Sequence, residues 1–61
     1  MPVIRVDILE GRPEEMKKEL AERLNAALSD VLGLPPEATH VIIEEHDKRN
    51  WSVGGVRFID K

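Results

Sequence analysis

Pro2 has the most distinctive chemistry open to it of any residue in this chain. It follows the initiator Met1, and a residue this small normally lets the methionine be cut away. Once Met1 is removed, Pro2 carries a free secondary amine on a rigid ring that opens directly into a strand-like run. Ordinary α-amino groups titrate near ~7.7–8.0, and a proline amine is intrinsically more basic. It must therefore be brought down to serve as a base at neutral pH. Partial burial and nearby cations both do so, because each penalises the protonated form. A base poised near ambient pH is the efficient kind. Arg5, Arg12, Arg49 and Arg57 are the candidate cations. The competing reading is a proline that merely starts a strand, since Met-Pro openings are common.

Arg12 is the natural anion anchor. It lies in the Glu10-Gly11-Arg12 break between a strand and a helix, so its guanidinium sits beside free backbone N–H groups. That combination suits a carboxylate; the alternative is a solvated loop arginine. Trp51 is read as packing, in the core or at a subunit contact, or as a pocket wall that the following glycines let backbone approach. His40 reads as a partly satisfied polar strand residue, and His46, with no partner at helical metal-ligand spacing, as solvated. Glu44 and Glu45 are adjacent, point opposite ways and make no carboxylate pair. Arg5 and Asp7 share a strand face and are expected to pair with each other. The chain has no cysteine, hence no disulfide and no thiolate metal site, and two histidines are too few for an all-histidine zinc site. No metal or cofactor is expected.

The elements that must position these residues are legible. Val3 to Leu9 is rich in β-branched residues and alternates, with Ile4, Val6 and Ile8 on one face and Val3, Arg5, Asp7 and Leu9 on the other. Pro13 suits a first helical position, and Glu14 and Glu15 complement the positive end of a helix dipole. Met16, Leu20, Leu24, Ala27, Leu28, Val31 and Leu32 then recur at three- and four-residue intervals as one apolar stripe. Glu14 with Lys18 and Glu19 with Arg23 form favourable i,i+4 pairs. Gly33 followed by Pro35-Pro36 stops the helix, which spans about residues 13–32. Ala38 to Glu45 is a second strand, with Val41 and Ile43 on one face and His40, Ile42 and Glu44 on the other. Gly54-Gly55 signals a turn, and Val56 to Ile59 a last short strand. The fold expected is α+β, a β-α-β unit with two parallel strands, one long helix and a short C-terminal hairpin, over a single domain of residues 1–61.

Size and charge narrow the function classes. A chain of 61 residues is marginal alone, burying only roughly 60% of its unfolded surface. One helix cannot cover both faces of a parallel pair, and parallel sheets are almost always covered on both. Self-association is thus expected from size and from topology. The net charge of −3, with acids and bases mixed along the chain, argues against nucleic acid as a partner. No stretch approaches the ~20 apolar residues of a membrane span, and no secretory signal is evident. A soluble cytoplasmic protein is the simplest expectation.

Taken together, the Met-Pro start, the segment Leu9-Glu10-Gly11-Arg12, a helix of this length, the strand Val41-Ile42-Ile43-Glu44-Glu45 and an aromatic followed by Val53-Gly54-Gly55 resemble the 4-oxalocrotonate tautomerase family. The resemblance spans essentially the whole chain. It implies a homohexamer built as a trimer of dimers, with sites at subunit contacts. It also implies an isomerase that interconverts enol and keto forms of unsaturated 2-oxo acids. Pro2 would be the general base, Arg12 the ligand of a substrate carboxylate, and Trp51 the apolar wall that helps keep the amine pKa low. Leu9 and Arg49 are further candidates for substrate contact. His40 stands where the family's namesake has a second arginine, which polarises the 2-oxo group. Histidine is shorter and, as a residue type, mostly neutral at pH 7. Either it donates one hydrogen bond there or Arg49 reaches in. Two rivals remain: the same fold with different proline chemistry (hydration, dehalogenation, decarboxylation or carbon–carbon bond formation), and a non-catalytic assembly module.

Overall fold

The computed structural model describes residues 2–61. Strand β1, Val3–Leu9, pairs in parallel with β2, His40–His46, in a register that sets Val3 opposite His40 and Leu9 opposite His46. Between them runs α1, Glu14–Leu32. Pro13 stands just outside the helix, at its N-cap in extended conformation, one residue earlier than the position expected for it. Glu14 and Glu15 occupy the first turn, and Gly33 closes the other end in the left-handed region at φ 67°. The β-α-β unit with one helix and parallel strands is therefore as the sequence pattern predicts. β2 begins two residues later than expected, because Pro36–Ala38 forms a short 3-10 turn before it, and it ends one residue later.

The helix lies over one face of the sheet. Ile4, Val6, Ile8, Val41 and Ile43 are half-buried beneath it, whereas Val3, Arg5, Asp7, His40, Ile42 and Glu44 alternate with them on the open face. Lys17 fastens the start of the helix to the end of β2, its Nζ donating to Glu14 at 2.5 Å and to Glu45 at 2.9 Å. Glu14 thus pairs with Lys17 rather than Lys18, because Lys17 is the residue turned toward the sheet and its second carboxylate. The expected Glu19–Arg23 pair forms at 2.7 Å.

After β2 the chain makes a 3-10 turn at Lys48–Asn50 and a small antiparallel hairpin, β3 Ser52–Val53 and β4 Val56–Arg57. Gly54 and Gly55, both at positive φ (61° and 84°), supply the connection that suits the strand twist of a two-residue hairpin. The expected strand through Ile59 stops at Arg57. Arg57 Nε bonds Asp60 at 2.9 Å, and this three-residue spacing belongs to the turn that Phe58–Asp60 adopts.

None of the described residues is fully buried. The chain measures 43 × 24 × 14 Å, with a radius of gyration of 14.5 Å where a compact chain of this length has roughly 10.5 Å. Its accessible surface of 4718 Å² also exceeds the roughly 4000 Å² of a compact chain of its mass. The apolar stripe of α1 is wider than the sheet can cover: Leu20, Leu24 and Leu28 are half-buried, but Met16, Leu32 and above all Val31, 84% exposed, face outward. The open sheet face presents Val3 and Ile42, and the hairpin presents Val53 and Val56. Apolar surface is thus left bare on both sides of a two-layer slab. Among the described residues no helix is long and apolar enough to cross a membrane.

Candidate active site

The residues singled out from sequence fall at the two ends of the β1–β2 sheet. At its start, Pro2 is half-buried and extends the strand pairing by one residue, its carbonyl accepting the His40 N–H at 3.0 Å. Pro2 and His40 are therefore neighbours. Met1, whose removal would free the Pro2 nitrogen, lies outside the described residues.

Leu9, Arg12, Arg49 and Trp51 lie at the far end. With a rise of ~3.3 Å per residue, Pro2 and Leu9 are roughly 23 Å apart, and Arg12 lies beyond Leu9 in the chain. Glu10 N–H bonds the His46 carbonyl at 2.9 Å, which carries the pairing past β1 and fixes the turn that leads to Arg12. Arg12 is exposed and makes no ion pair among the described residues. It lines a groove of about 400 Å³ on the helix side with Val6, Ile8, Met16, Lys17 and Leu20. Trp51 lines a second groove of about 400 Å³ on the open sheet face, with Asp7, His46, Asn50 and Ser52. One chain thus brings Pro2 to His40 but joins neither to Arg12 or Trp51, and Arg12 and Trp51 border different grooves.

Trp51 is held on two sides. The His46 ring meets it edge-on at 5.6 Å and Phe58 at 6.0 Å, while Phe58 N–H bonds the Trp51 carbonyl at 2.9 Å. His46 is half-buried, not solvated as its sequence context suggested, and its Nε2 lies 2.7 Å from Asp7 Oδ1. Asp7 therefore does not pair with Arg5; Arg5 reaches across the sheet to Glu44 at 3.2 Å. The Asp7–His46–Trp51 cluster is not expected from the sequence pattern, because a second strand that stops at Glu45 leaves His46 in the following loop. Carrying the strand one residue further puts His46 on the face of His40, Ile42 and Glu44, which is the signal that would have found it. Ligand atoms of Asp7, Glu44 and His46 lie within 4.8 Å of one another, close enough for a cation. Asp7 and His46 already satisfy each other, however, and Arg5 satisfies Glu44.

Arg49 is clamped within its own turn. Its Nη2 and Nε bond the Asp47 carboxylate at 2.6 and 3.0 Å, and its backbone N–H bonds Asp47 Oδ1 at 2.8 Å. These bonds hold the Asp47 carboxyl down to about 2 and raise Arg49 above its ordinary value. The guanidinium that the sequence offered as a substitute for a second arginine is thus already engaged.

The family described as "Tautomerase enzyme" matches residues 2–61, its first matched residue being Pro2. The chain belongs to the tautomerase family. A probable tautomerase of Bacillus cereus is 51% identical over 61 residues, covering the whole of both chains. One of Staphylococcus epidermidis is 44% identical over 61 residues, again over the whole of both. Among solved structures, a 4-oxalocrotonate tautomerase homologue superposes with a TM-score of 0.94 at 48% identity, over 100% of this chain and 97% of its own. A heterohexameric 4-oxalocrotonate tautomerase from Chloroflexus aurantiacus gives 0.92 at 37% identity, over 98% and 97%. The likeness of this chain to its relatives therefore extends through both ends of the sheet and the C-terminal hairpin.

Proposed function

We propose that this tautomerase is a cytoplasmic homo-oligomer, a hexamer built as a trimer of dimers, that interconverts enol and keto forms of unsaturated 2-oxo acids. The observation that carries the reading is the family match that begins at Pro2 and runs to the end of the chain. In the proposed reaction the neutral Pro2 amine takes the proton from the 2-hydroxyl of a dienol. The electron pair of that O–H bond becomes part of the new carbonyl, and the double bonds shift along the chain. The protonated amine then returns its proton to the distal carbon, leaving the enzyme unchanged. Arg12 binds the substrate carboxylate through charge-assisted hydrogen bonds. Trp51 walls the apolar part of the site, and the exclusion of water there keeps the amine from being too strongly protonated. In this reading His40, whose backbone N–H bonds the Pro2 carbonyl, donates one side-chain hydrogen bond to the developing oxyanion.

The separation of Pro2 from Arg12 along the sheet supports a site assembled from more than one copy. Bare apolar surface on the open sheet face, on the outer side of α1 and on the hairpin gives such copies something to bury. A heterohexameric relative supports assembly into six subunits. The test combines N-terminal mass analysis with enol-ketonisation on one preparation. Protein lacking Met1 should ketonise 2-hydroxymuconate or phenylenolpyruvate, and Pro2→Ala should not; equal rates in the two would end the proposal. The substitution of His40 for the namesake's arginine favours a second reading, in which the amine acts as a nucleophile. Borohydride trapping of an imine on Pro2 with a carbonyl substrate would select it.

A further inference from the structure

The arginines of this chain are unequally free. There are five: Arg5, Arg12, Arg23, Arg49 and Arg57. Arg5 is bound to Glu44, Arg23 to Glu19, Arg49 to Asp47 and Arg57 to Asp60, at 2.6 to 3.2 Å. Among the described residues Arg12 alone has no carboxylate within ion-pair distance. The Arg5–Glu44 and Arg23–Glu19 pairs are single exposed contacts of the kind that contribute little and break readily, and Arg57 grips Asp60 with two prongs only. The Arg49–Asp47 pair differs. It is a two-pronged fork closed by a third bond, because Asp47 caps the 3-10 turn and so holds the backbone N–H of Arg49 as well as its guanidinium. A fork of this kind holds a guanidinium in one orientation.

Arg49 is also the bound arginine best placed to matter. It lies two residues before Trp51, and Glu10, at the head of the turn that carries Arg12, is near enough to contribute to its raised pKa. A substrate with two carboxylates needs two cationic groups. Here the far end of the sheet offers one free guanidinium on a chain with a net charge of −3. Among the described residues no second arginine without a carboxylate partner lies at this end to meet another carboxylate.

We propose that Asp47 is a specificity-determining positioning residue: by holding Arg49 it leaves Arg12 as the single available arginine and restricts the site to enols and 2-oxo acids with one carboxylate. This rests on the tautomerase reading above and names the substrate class of that same site. The remainder of the substrate is uncharged, and a dianion is disfavoured by lack of a second free arginine, not by size.

The experiment compares phenylenolpyruvate, with one carboxylate, and 2-hydroxymuconate, with two, in the wild-type oligomer, in Asp47→Asn and in Asp47→Asn/Arg49→Ala. Asparagine can still cap the turn but cannot hold the guanidinium as a charged fork. Wild-type protein should show the higher kcat/KM on phenylenolpyruvate. Asp47→Asn should raise kcat/KM on 2-hydroxymuconate roughly tenfold, mainly through KM, because one charge-assisted contact is gained. The double variant should lose that gain, which separates the action of Arg49 from the mere removal of a negative charge. Calorimetric titration with 2-oxohexanoate and 2-oxoadipate, equal in length and differing by one carboxylate, reads the same preference without turnover. A wild-type preference for the dianion, an unmoved ratio in Asp47→Asn or a gain that survives in the double variant would each overturn the proposal. Turnover that persists in Pro2→Ala would instead overturn the proline mechanism, and the calorimetric comparison would still decide the role of Asp47.

Discussion

At the start of the β1–β2 sheet, Pro2 is joined to its neighbour strand through the backbone bond from His40, and Val3 and His40 beside it are exposed. At the far end, Lys17 ties α1 to Glu45, Asp7 meets His46, Asp47 grips Arg49, and Trp51 is stacked edge-on between His46 and Phe58. One end thus offers a single group of unusual chemistry with little around it. The other offers a braced scaffold of ion pairs and an aromatic wall, its histidine, His46, already engaged by Asp7. The two halves are complementary, and the length of β1 keeps them apart within a chain. Joining the start of one sheet to the far end of another reconciles a complete site with this geometry, and the unburied apolar faces supply the reason for copies to associate.

The sharpest way to break this comparison is to remove the one group peculiar to the first end. Pro2→Ala should lower kcat/KM for enol ketonisation by about a hundredfold or more, the usual worth of a positioned general base. Its effect on the mass of the assembly should be small. Retained methionine should have the same consequence, since acylation removes the basic lone pair, and intact-mass analysis reads it directly.

Next in size is a change that touches neither end. Ile42 lies mid-strand on the open face, opposite Arg5 in the register. Ile42→Lys would set a second cation beside that arginine and put a charge on a surface that must be desolvated on association. Light scattering should show a smaller particle, and activity should fall with it although every proposed site residue is intact. Full activity in a dissociated chain would show that one copy suffices.

A smaller loss is expected at the far end. Arg12→Ala removes charge-assisted contacts worth about 1.5–3 kcal/mol, so kcat/KM should fall roughly ten- to a hundredfold. Arg12→Ala and Pro2→Ala chains, refolded together, should recover activity that neither has alone, because some sites then draw a good Pro2 and a good Arg12 from different copies. No recovery would place both groups in one chain's site.

Much of this arrangement could be read from residue order. The strand alternation placed Ile4, Val6 and Ile8 beneath the helix, and Gly33 and the proline pair fixed where α1 stops. The misreadings share a physical cause, which is that partner choice in a sheet depends on register. Arg5 and Asp7 share a face, but each finds a partner across the strand pair, Glu44 and His46, nearer than it finds the other. His46 was lost with the strand end because the polar run after Glu45 resembles a loop, yet the Glu10 bond to its carbonyl keeps it in the sheet. Asp47 and Arg49 show the same limit at shorter range: the residue types suggested a mobile cation, and the 3-10 turn made it a clamped one. The residue types of the proposed site are legible in the sequence, but how a single chain's ends would be joined into one site is not, because in the proposed arrangement that property belongs to the assembly.

The smallest effect expected concerns the clamp itself and its sign. The Asp47 carboxyl is held at about 2 in the folded chain against an ordinary value of 3.8, first by the Arg49 side chain and then by its backbone N–H. The folded state therefore binds that proton more weakly than the unfolded state does. Linkage then requires that the pair's contribution be fully present above 3.8 and be lost as pH falls toward about 2. Because both partners face solvent, screening keeps the contribution small. Asp47→Asn, which has no such proton, should flatten the fall in melting temperature over that acid window and leave the profile near neutrality nearly parallel to wild type. A variant whose acid branch remains as steep as wild type would mean that Arg49 is not held by Asp47 in solution. The far end of the sheet would then have two arginines to offer, and the contrast between the braced and the bare end would lose its strongest brace.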